Sequence, residues 1–222
     1  MDWTALSLSV QLGLATLAVL LPVGVAVGRT LAIHRFPGRS IVEALVALPL
    51  ILPPTVLGFY LLVAFGAQSR LGALFASLTG RTLAFSFEGL VLASSIVNLP
   101  FTVQPIQRAF ENISRDVREA AACCGMSWWR ALGAIELPLA WPGIATAAIL
   151  TFAHTLGEFG VVLMVGGNIP AETRTLSIAI YDRVQAFDDR SAGIMAATLL
   201  ALATITLALT NLLARRVARR HA

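Results

Sequence analysis

The groups that could carry chemistry in this 222-residue chain are few and scattered. The chain has no lysine, which excludes a phosphate-binding loop with its lysine, a Schiff-base lysine and a lysine general base. The three histidines are distant from one another in sequence, and the two cysteines, Cys123 and Cys124, are neighbours, which rarely suits a disulfide. Two sulfurs are also too few for a zinc site. We therefore expect no catalytic centre, no bound metal and no cofactor.

His154 and Glu158 come nearest to a chemical site, because residues four apart share one face of a helix. They lie at the end of a long apolar stretch, where a carboxylate costs free energy: about 2.5–3.5 kcal/mol at the centre of a membrane helix, and less near its ends. Three interpretations stay open: a proton relay, a structural hydrogen bond at an outer helix end, and a part in shaping an outer gate. A direct anion contact is disfavoured, because a carboxylate repels anions.

The elements that must position these groups are membrane helices. The chain is 57% hydrophobic and 13% charged, against roughly 45–50% and 25% in soluble domains. We predict an all-α, polytopic helical bundle that forms a single domain over residues 1–222, with five core spans and room for a sixth. A short apolar stretch at 159–167 is either a re-entrant piece or a continuation of the fourth span. Each predicted span has about the 20 apolar residues that crossing a bilayer requires, at 6–27, 44–66, 89–107, 137–157 and 192–214.

The distribution of arginine predicts the orientation of the spans. Eleven of the sixteen arginines follow the first span, the third span or the fifth. The positive-inside rule then places the N-terminus outside and the C-terminus in the cytoplasm. Arginines this dispersed do not form a nucleic-acid-binding face. The eleven are Arg29, Arg35, Arg39, Arg108, Arg115, Arg118, Arg130, Arg215, Arg216, Arg219 and Arg220.

Three of the five predicted spans contain two or more prolines. A proline kinks a helix, and in a membrane the freed carbonyls need neighbours or water. The breaks indicate either ordinary helix packing or the border of a polar path, as interrupted helices do in transporters. Polar groups in the spans fit both interpretations, as pathway lining or as hydrogen-bonding partners between helices. The gate or pathway candidates are Pro53, Pro54, Thr55, Asn98, Gly157 and Glu158, with Ser94, Ser95 and Gln104 as further polar groups.

The segment 108–136 is the longest predicted cytoplasmic loop and has helix signals of its own. Asp116 and Glu119 have the spacing of a capping box, with Asp116 as N-cap. Small residues extend the helix to a left-handed stop at Gly125, and Ser127 can cap a second short helix over residues 128–133. A helix with a bare, small-residue face suits docking into a groove of another protein. The alternative is a helix that lies on the bilayer surface.

A second amphipathic stretch lies in the predicted outer segment, at residues 176–187. Leu176, Ile180 and Val184 recur there at helical spacing. The stretch is either a helix at the membrane surface or part of a docking surface for a partner protein. The sequence does not separate these two interpretations.

Together with its flanks, the loop resembles the EAA motif of binding-protein-dependent ABC importer permeases. That motif has the pattern E-A-A-x3-G-x9-I-x-L-P, and every defined position matches. The resemblance implies the fold of type I (MetI-like) importer permeases and a loop that couples to a separate ATPase. The matching residues are Glu119, Ala120, Ala121, Gly125, Ile135, Leu137 and Pro138.

The same resemblance implies the partners and the place of the chain. It implies a permease homodimer in the bacterial inner membrane, two copies of an ABC ATPase and an extracytoplasmic binding protein. The chain itself would be a non-catalytic transport subunit, and its missing lysine agrees with ATP hydrolysis elsewhere.

Details along the chain resemble the molybdate branch of this family, with tungstate and sulfate permeases as the nearest alternatives. The segments that carry this resemblance are 36–38, 48–58, 84–86, 156–160 and 167–175. An ion-coupled secondary transporter is a further alternative, with only His154 and Glu158 as candidate deep polar groups. An intramembrane enzyme is disfavoured, because the sequence contains neither a His-Glu-x-x-His nor a Gly-x-Gly-Asp motif.

Overall fold

A computed structural model describes residues 1–218, with side chains up to residue 208. Arg219 and Arg220 therefore lie outside the described residues, as do the side chains at the end of the fifth predicted span. Within 1–218 the chain forms α-helices and one π-helical turn, without strands. The helices are α1 Trp3–Ile33, α2 Arg39–Ile51, α3 Pro54–Phe65, α4 Arg70–Thr79, α5 Phe87–Glu111, α6 Arg115–Cys123, α7 Trp128–Ala131, α8 Leu137–Gly157, α9 Gly160–Gly166, α10 Leu176–Gln185 and α11 Asp189–Ala218, with the π-helical turn at Leu132–Glu136.

Helices α1, α5 and α8 pack against one another at the centre of the bundle. Small residues on α1 allow the close approach: a Cβ placed on Gly24 would lie 2.6 Å from Cγ2 of Thr102, and one on Gly28 would lie 3.0 Å from the backbone N of Gln107. Membrane helices associate through such van der Waals packing, which small residues permit. The three helices are the framework on which the other elements rest.

The second predicted span, 44–66, is not one straight helix. It is the pair α2 and α3, and the direction of the chain bends by 112° between them. Leu52 is extended (φ −73°, ψ 136°), as expected before a proline, and Pro54 is the first residue of α3, where its missing N–H costs nothing. The paired prolines Pro53 and Pro54 therefore divide the span.

The fourth predicted span begins earlier than residue 137. Helix α7, the π-helical turn and α8 follow one another without a break over residues 128–157. The helix predicted at 128–133 does begin at Trp128, with Ser127 at its N-cap position, but it continues into α8 and Ser127 makes no side-chain capping hydrogen bond. The wide turn comes directly before Pro138, whose ring would clash with the carbonyl four residues back in a regular helix.

The short apolar stretch after α8 is a separate helix, α9, and not a continuation of the span. Glu158 breaks the helix with extended dihedral angles (φ −65°, ψ 129°). Val161, Val162 and Val165 of α9 are completely buried. They pack in two clusters with α1, α3, α5 and α10. Helix α9 thus lies inside the bundle.

Length and apolarity permit four membrane crossings in the described chain, or five if the bent pair α2 and α3 counts as one. The other three predicted spans fall within α1, α5 and α11. Helix α1 extends beyond its predicted span because Asp2 caps it, accepting a hydrogen bond from the N–H of Ala5 at 2.9 Å. Asp188 has the same role before α11, and its hydrogen bonds with Ser191 lower the pKa of its carboxyl.

Helix α10 corresponds to the amphipathic stretch at 176–187, but its buried face differs from the predicted one. Leu176, Ile178 and Ala179 are buried, whereas Val184 is half exposed. Leu176 and Ala179 pack on α1 and α11, and Ile178 packs on α1, α5 and α9. The exposed face of α10 is therefore larger than the spacing of its apolar residues predicted.

Candidate functional site

Helix α6 contains the first half of the predicted coupling motif. Its N-cap is Ser114, whose hydroxyl accepts a hydrogen bond from the N–H of Val117 at 3.4 Å. The predicted N-cap, Asp116, is instead in the first turn, where a carboxylate favours the positive end of the helix. The helix itself was predicted correctly, and its start was wrong by two residues.

The motif residues of α6 point in two directions. Ala121 is the one buried residue of α6 and rests on the bundle. Glu119 and Ala120 are exposed. Among the side chains that the structure describes, the carboxylate of Glu119 has only an exposed ion pair with Arg115 (2.5 Å), and such pairs contribute about 0–1 kcal/mol. The acidic signature residue is thus free to exchange this partner for another.

Gly125 ends α6 as predicted. Its φ is +71°, and its N–H donates to the carbonyl of Ala122 at 2.9 Å. The next N–H, from Met126, donates to the carbonyl of Ala121 at 3.1 Å, which is the pattern of a left-handed helix stop. A Cβ at Gly125 would meet no atom within 4 Å. The described part of the chain therefore leaves open space here, and only the backbone conformation requires glycine.

The second half of the motif starts α8. Ile135 lies in the π-helical turn, and Leu137 packs partly buried against the cluster around Phe110 and Ala140. Pro138 is exposed, one residue into α8. The structure therefore brings both halves of the motif to the same end of the bundle.

An ion cluster that the sequence did not predict lies beneath α6. The carboxylate of Glu136 is 4% exposed and pairs with two arginines, Arg29 at 2.5 Å and Arg118 at 3.4 Å. These three residues come from α1, α6 and the turn before α8. The available signal was a glutamate next to the Leu-Pro pair in an apolar context, since an acidic residue there needs a cation.

Glu158 has a structural role in the described chain. Its side chain is buried and accepts a hydrogen bond from the N–H of Val161 at 3.1 Å, at the start of α9. Its own carbonyl accepts a hydrogen bond from Ser177 at 2.7 Å. His154 lies 4.0 Å away, at the limit of an ion pair. Of the three interpretations, the geometry favours the structural hydrogen bond.

Asn98 is completely buried and fully engaged. Its amide nitrogen donates to the carbonyl of Ser94 at 2.8 Å and to the hydroxyl of Thr155 at 3.1 Å. Nδ1 of His154 lies 3.1 Å from its amide oxygen, and that oxygen can only accept. A second link between α5 and α8 joins the hydroxyls of Thr102 and Thr151, 2.7 Å apart. These contacts are those of residues that hold helices together.

Of the remaining gate candidates, Pro53, Pro54 and Thr55 lie at the break between α2 and α3, and Gly157 is the last residue of α8. Thr55 and Gly157 are exposed, as are the two prolines. Helix α9 begins against this break: a Cβ at Gly160 would lie 2.8 Å from Cβ of Pro54. The structure therefore brings Pro54 to the start of α9, whereas Asn98 lies in the separate network between α5 and α8.

A cavity of about 550 Å³ lies between α2, α5 and α8. Gln104, Arg108 and Asn112 supply polar groups, and Arg108 and Asn112 are exposed. Both residues are at the end of α5 that leads into α6. The cavity thus has a polar, cationic mouth on the side of the coupling motif, and this chain alone does not enclose it.

Comparisons with known proteins identify the family of this chain. Residues 21–220 match the family described as binding-protein-dependent transport system inner membrane component. The chain is 49% identical to the molybdenum transport system permease protein ModB of Azotobacter vinelandii, over 84% of this chain and 83% of that protein. It is 36% identical to the ModB protein of Escherichia coli K12, over 96% of this chain and 94% of that protein. The sulfate transport system permease protein CysT of the same strain is 32% identical, over 84% and 67%.

Two solved structures share the fold. A bacterial alginate ABC transporter in complex with an oligosaccharide-bound periplasmic protein has a TM-score of 0.75 at 17% identity, covering 96% of this chain and 78% of that one. The MetNI methionine ABC transporter has a TM-score of 0.69 at 19% identity, covering 97% and 93%. These likenesses confirm the predicted permease fold. With the family match over nearly its whole length, this chain belongs to the binding-protein-dependent transport system inner membrane components.

Proposed function

We propose that this chain is the membrane subunit of an ATP-driven importer of molybdate. It forms the translocation pathway as a homodimer and couples that pathway to two copies of a separate ABC ATPase. An extracytoplasmic binding protein delivers the anion. The chain lies in the bacterial inner membrane with its N-terminus outside and its C-terminus in the cytoplasm.

The observation that carries this proposal is the presentation of α6. Glu119 and Ala120 face outward, and the turn at Gly125 leaves open space beside the backbone. A short exposed helix with small side chains fits a groove on a partner. Because the chain has no lysine for a phosphate-binding loop, the partner in that groove is the ATPase. Ile135, Leu137 and Pro138 then join the docked helix to α8.

The choice of molybdate is supported by the relatives. The molybdenum permeases are matched over 83% and 94% of their lengths. The sulfate permease is matched over 67% of its length, at lower identity. The two alternative substrates are tungstate and sulfate, and sulfate is a tetrahedral dianion like molybdate.

The cavity between α2, α5 and α8 supports a vestibule on the ATPase side of the pathway. Arg108 and Asn112 lie at its mouth, and Gln104 lies deeper. A single exposed arginine attracts an anion without holding it tightly, which suits release. Since one chain leaves this cavity open, a second copy is needed to close the path. Exposed apolar residues on α2 and α3, such as Ile51 and Phe59, are available to that copy or to lipid.

Reconstitution tests the proposal directly. The chain is purified with its ATPase, placed in lipid vesicles and supplied with binding protein, ATP and labelled molybdate. We expect uptake that depends on ATP and on the binding protein. Unlabelled molybdate or tungstate should inhibit this uptake more strongly than unlabelled sulfate does. Mass measurement of the solubilised complex should give two permeases for two ATPases.

Two results contradict the proposal in different ways. Stronger competition by sulfate than by molybdate would assign the complex to sulfate and leave the importer mechanism standing. Uptake driven by an ion gradient, without ATP, would assign the chain to the secondary transporters. A matched vesicle sample with an ATPase that binds but does not hydrolyse ATP controls for leakage.

A further inference from the structure

Arg118 connects α6 to the membrane helices. Its Nη2 donates a hydrogen bond to the carbonyl of Phe110, in the last turn of α5, at 2.5 Å. Its Nε lies 3.4 Å from Oε1 of Glu136, directly before α8. Apart from Ala121, every residue of α6 is at least partly exposed. Arg118 is therefore the polar attachment of α6 to the bundle.

Arg29 holds the same carboxylate from the other side. From α1, its Nε donates to Oε2 of Glu136 at 2.5 Å and its Nη2 to Oε1 at 3.3 Å. Such two-point arginine–carboxylate pairs are strong and geometrically specific. The guanidinium carbon also lies 5.6 Å from the ring centre of Trp128, on α7. Glu136 thus joins α6 to α1, α7 and α8.

The surroundings of the cluster are loosely packed on the α6 side. A cavity of about 250 Å³ lies between α6 and the bundle, and Arg29, Arg118 and Glu136 line it together with apolar residues. Across such a gap dispersion forces fall off steeply, whereas Arg118 reaches the bundle through its hydrogen bond to Phe110 and its 3.4 Å ion pair with Glu136, in which Nε makes no hydrogen bond. A displacement of α6 is therefore passed to the bundle through Arg118 and Glu136 more than through side-chain packing.

We propose that the Arg118–Glu136–Arg29 cluster is the mechanical link that transmits movement of α6 to α1 and α8. Glu136 is a positioning residue at its centre, and it contacts neither ATP nor the anion. This inference rests on the proposed function, in which the ATPase moves α6. It separates two tasks within the motif: the exposed face of α6 binds the ATPase, and the buried cluster converts that binding into movement of the pathway.

The test compares uptake with ATP hydrolysis in the same reconstituted vesicles. In Glu136→Gln and in Arg118→Gln the exposed face of α6 is unchanged, so the ATPase should still co-purify and hydrolyse ATP. Molybdate taken up per ATP should fall about tenfold, within the range usual for coupling between sites. Arg118→Lys keeps a cation near both acceptors. It should therefore take up more molybdate per ATP than Arg118→Gln does. A residue with a merely structural role would lower the amount of complex and leave this ratio unchanged.

Arg39→Gln is the matched control. Arg39 is also an arginine near this end of the bundle, in ion pairs with Glu43 and Glu111, but it has no contact with the cluster. The molybdate taken up per ATP by Arg39→Gln should stay at the wild-type value. If Glu136→Gln does not accumulate in the membrane, Arg118→Gln decides the question, because its side chain is 23% exposed and at the edge of the cluster.

An unchanged ratio in Arg118→Gln would overturn the link while the proposed function stands. Loss of the bound ATPase in both variants would also overturn it, since the cluster would then serve docking. Absence of ATP-driven uptake in the wild-type complex would instead reject the proposed function, and the link with it.

Discussion

The carboxylate of Glu158 accepts a hydrogen bond from the N–H of Val161 at 3.1 Å, and this contact starts the buried helix α9. The first N–H groups of a helix have no partner within the helix and need one from elsewhere. Because α9 lies inside the bundle, water does not readily replace the carboxylate. An acidic residue in an apolar context is thereby explained by a backbone donor.

We expect Glu158→Ala to destabilise the protein by about 1–2 kcal/mol, the usual cost of a lost cap. Glu158→Gln keeps an acceptor oxygen but cannot titrate, so it should retain most of the stability and the uptake. The midpoint of thermal unfolding of the solubilised protein, followed by tryptophan fluorescence, measures the first effect. If Glu158→Gln abolished uptake while remaining folded, the proton-relay interpretation of His154 and Glu158 would regain support.

Gly125→Asp should uncouple or detach the ATPase. The left-handed backbone at φ +71° disfavours a side chain, at a cost of about 1–2 kcal/mol. No described residue lies near the new side chain, so we attribute any larger effect to the docked partner. Co-purification of the ATPase and its hydrolysis rate are the measurements.

Gly80→Asp is a matched control for this prediction. Gly80 also ends a helix at φ +71° with open space around it, but it follows α4, far along the sequence from the motif. Both variants should lose similar stability, and only Gly125→Asp should lose ATPase binding or ATP-driven uptake. Equal ATPase binding and equal uptake by the two variants is the outcome that counts against α6 as the dock.

The local part of the candidate site could be predicted from the sequence, and the remainder could not. The stop at Gly125 and the break at Pro53 and Pro54 follow from dihedral preferences of single residues, which act wherever those residues stand. The cluster around Glu136 depends on Arg29, which is 107 residues away. No periodicity or local motif fixes such a contact, because it arises from the packing of α1 against α8.

The errors at helix starts have a similar physical basis. Ser114 and Asp116 are both good N-caps, and only the path of the chain after α5 decides between them. The helix that contains the fourth predicted span begins at Trp128, and its continuity depends on a π-helical turn, which hydrophobic patterns do not reveal. In contrast, the residue type of Asn98 permitted two interpretations, pathway lining and hydrogen bonding between helices, and the structure has the second kind of contact.

The native cysteines offer a test of the orientation. Cys123 and Cys124 are the two cysteines of the chain, and both are exposed at the end of α6. If this loop is cytoplasmic, a membrane-impermeant thiol reagent should label the chain in inverted vesicles and not in intact cells. Labelling should also decrease when the ATPase is bound, because the thiols adjoin its dock. Labelling in intact cells with an undamaged membrane would reverse the proposed topology.

Asn98→Ala should destabilise the protein without a specific effect on transport. The substitution leaves the hydroxyl of Thr155 and Nδ1 of His154 without their buried partner, which costs about 1–3 kcal/mol. Thermal unfolding reports this loss, with Thr55→Ala as an exposed control expected within about 0.5 kcal/mol of wild type. Uptake per folded complex should stay near wild type. A large fall in uptake at unchanged stability would instead place Asn98 on the pathway.

Arg108→Gln tests the vestibule. The arginine is exposed at the mouth of the cavity between α2, α5 and α8, where a positive charge raises the local concentration of a dianion. We expect its loss to lower the uptake rate about tenfold at low ionic strength, at the lower end of such focusing effects. The difference from wild type should shrink in about 1 M salt on the ATPase side, where the screening length is roughly 3 Å. Arg108→Lys keeps the charge and should behave like wild type at both salt concentrations. Equal uptake by Arg108→Gln and wild type at low ionic strength would show that the anion leaves by another route.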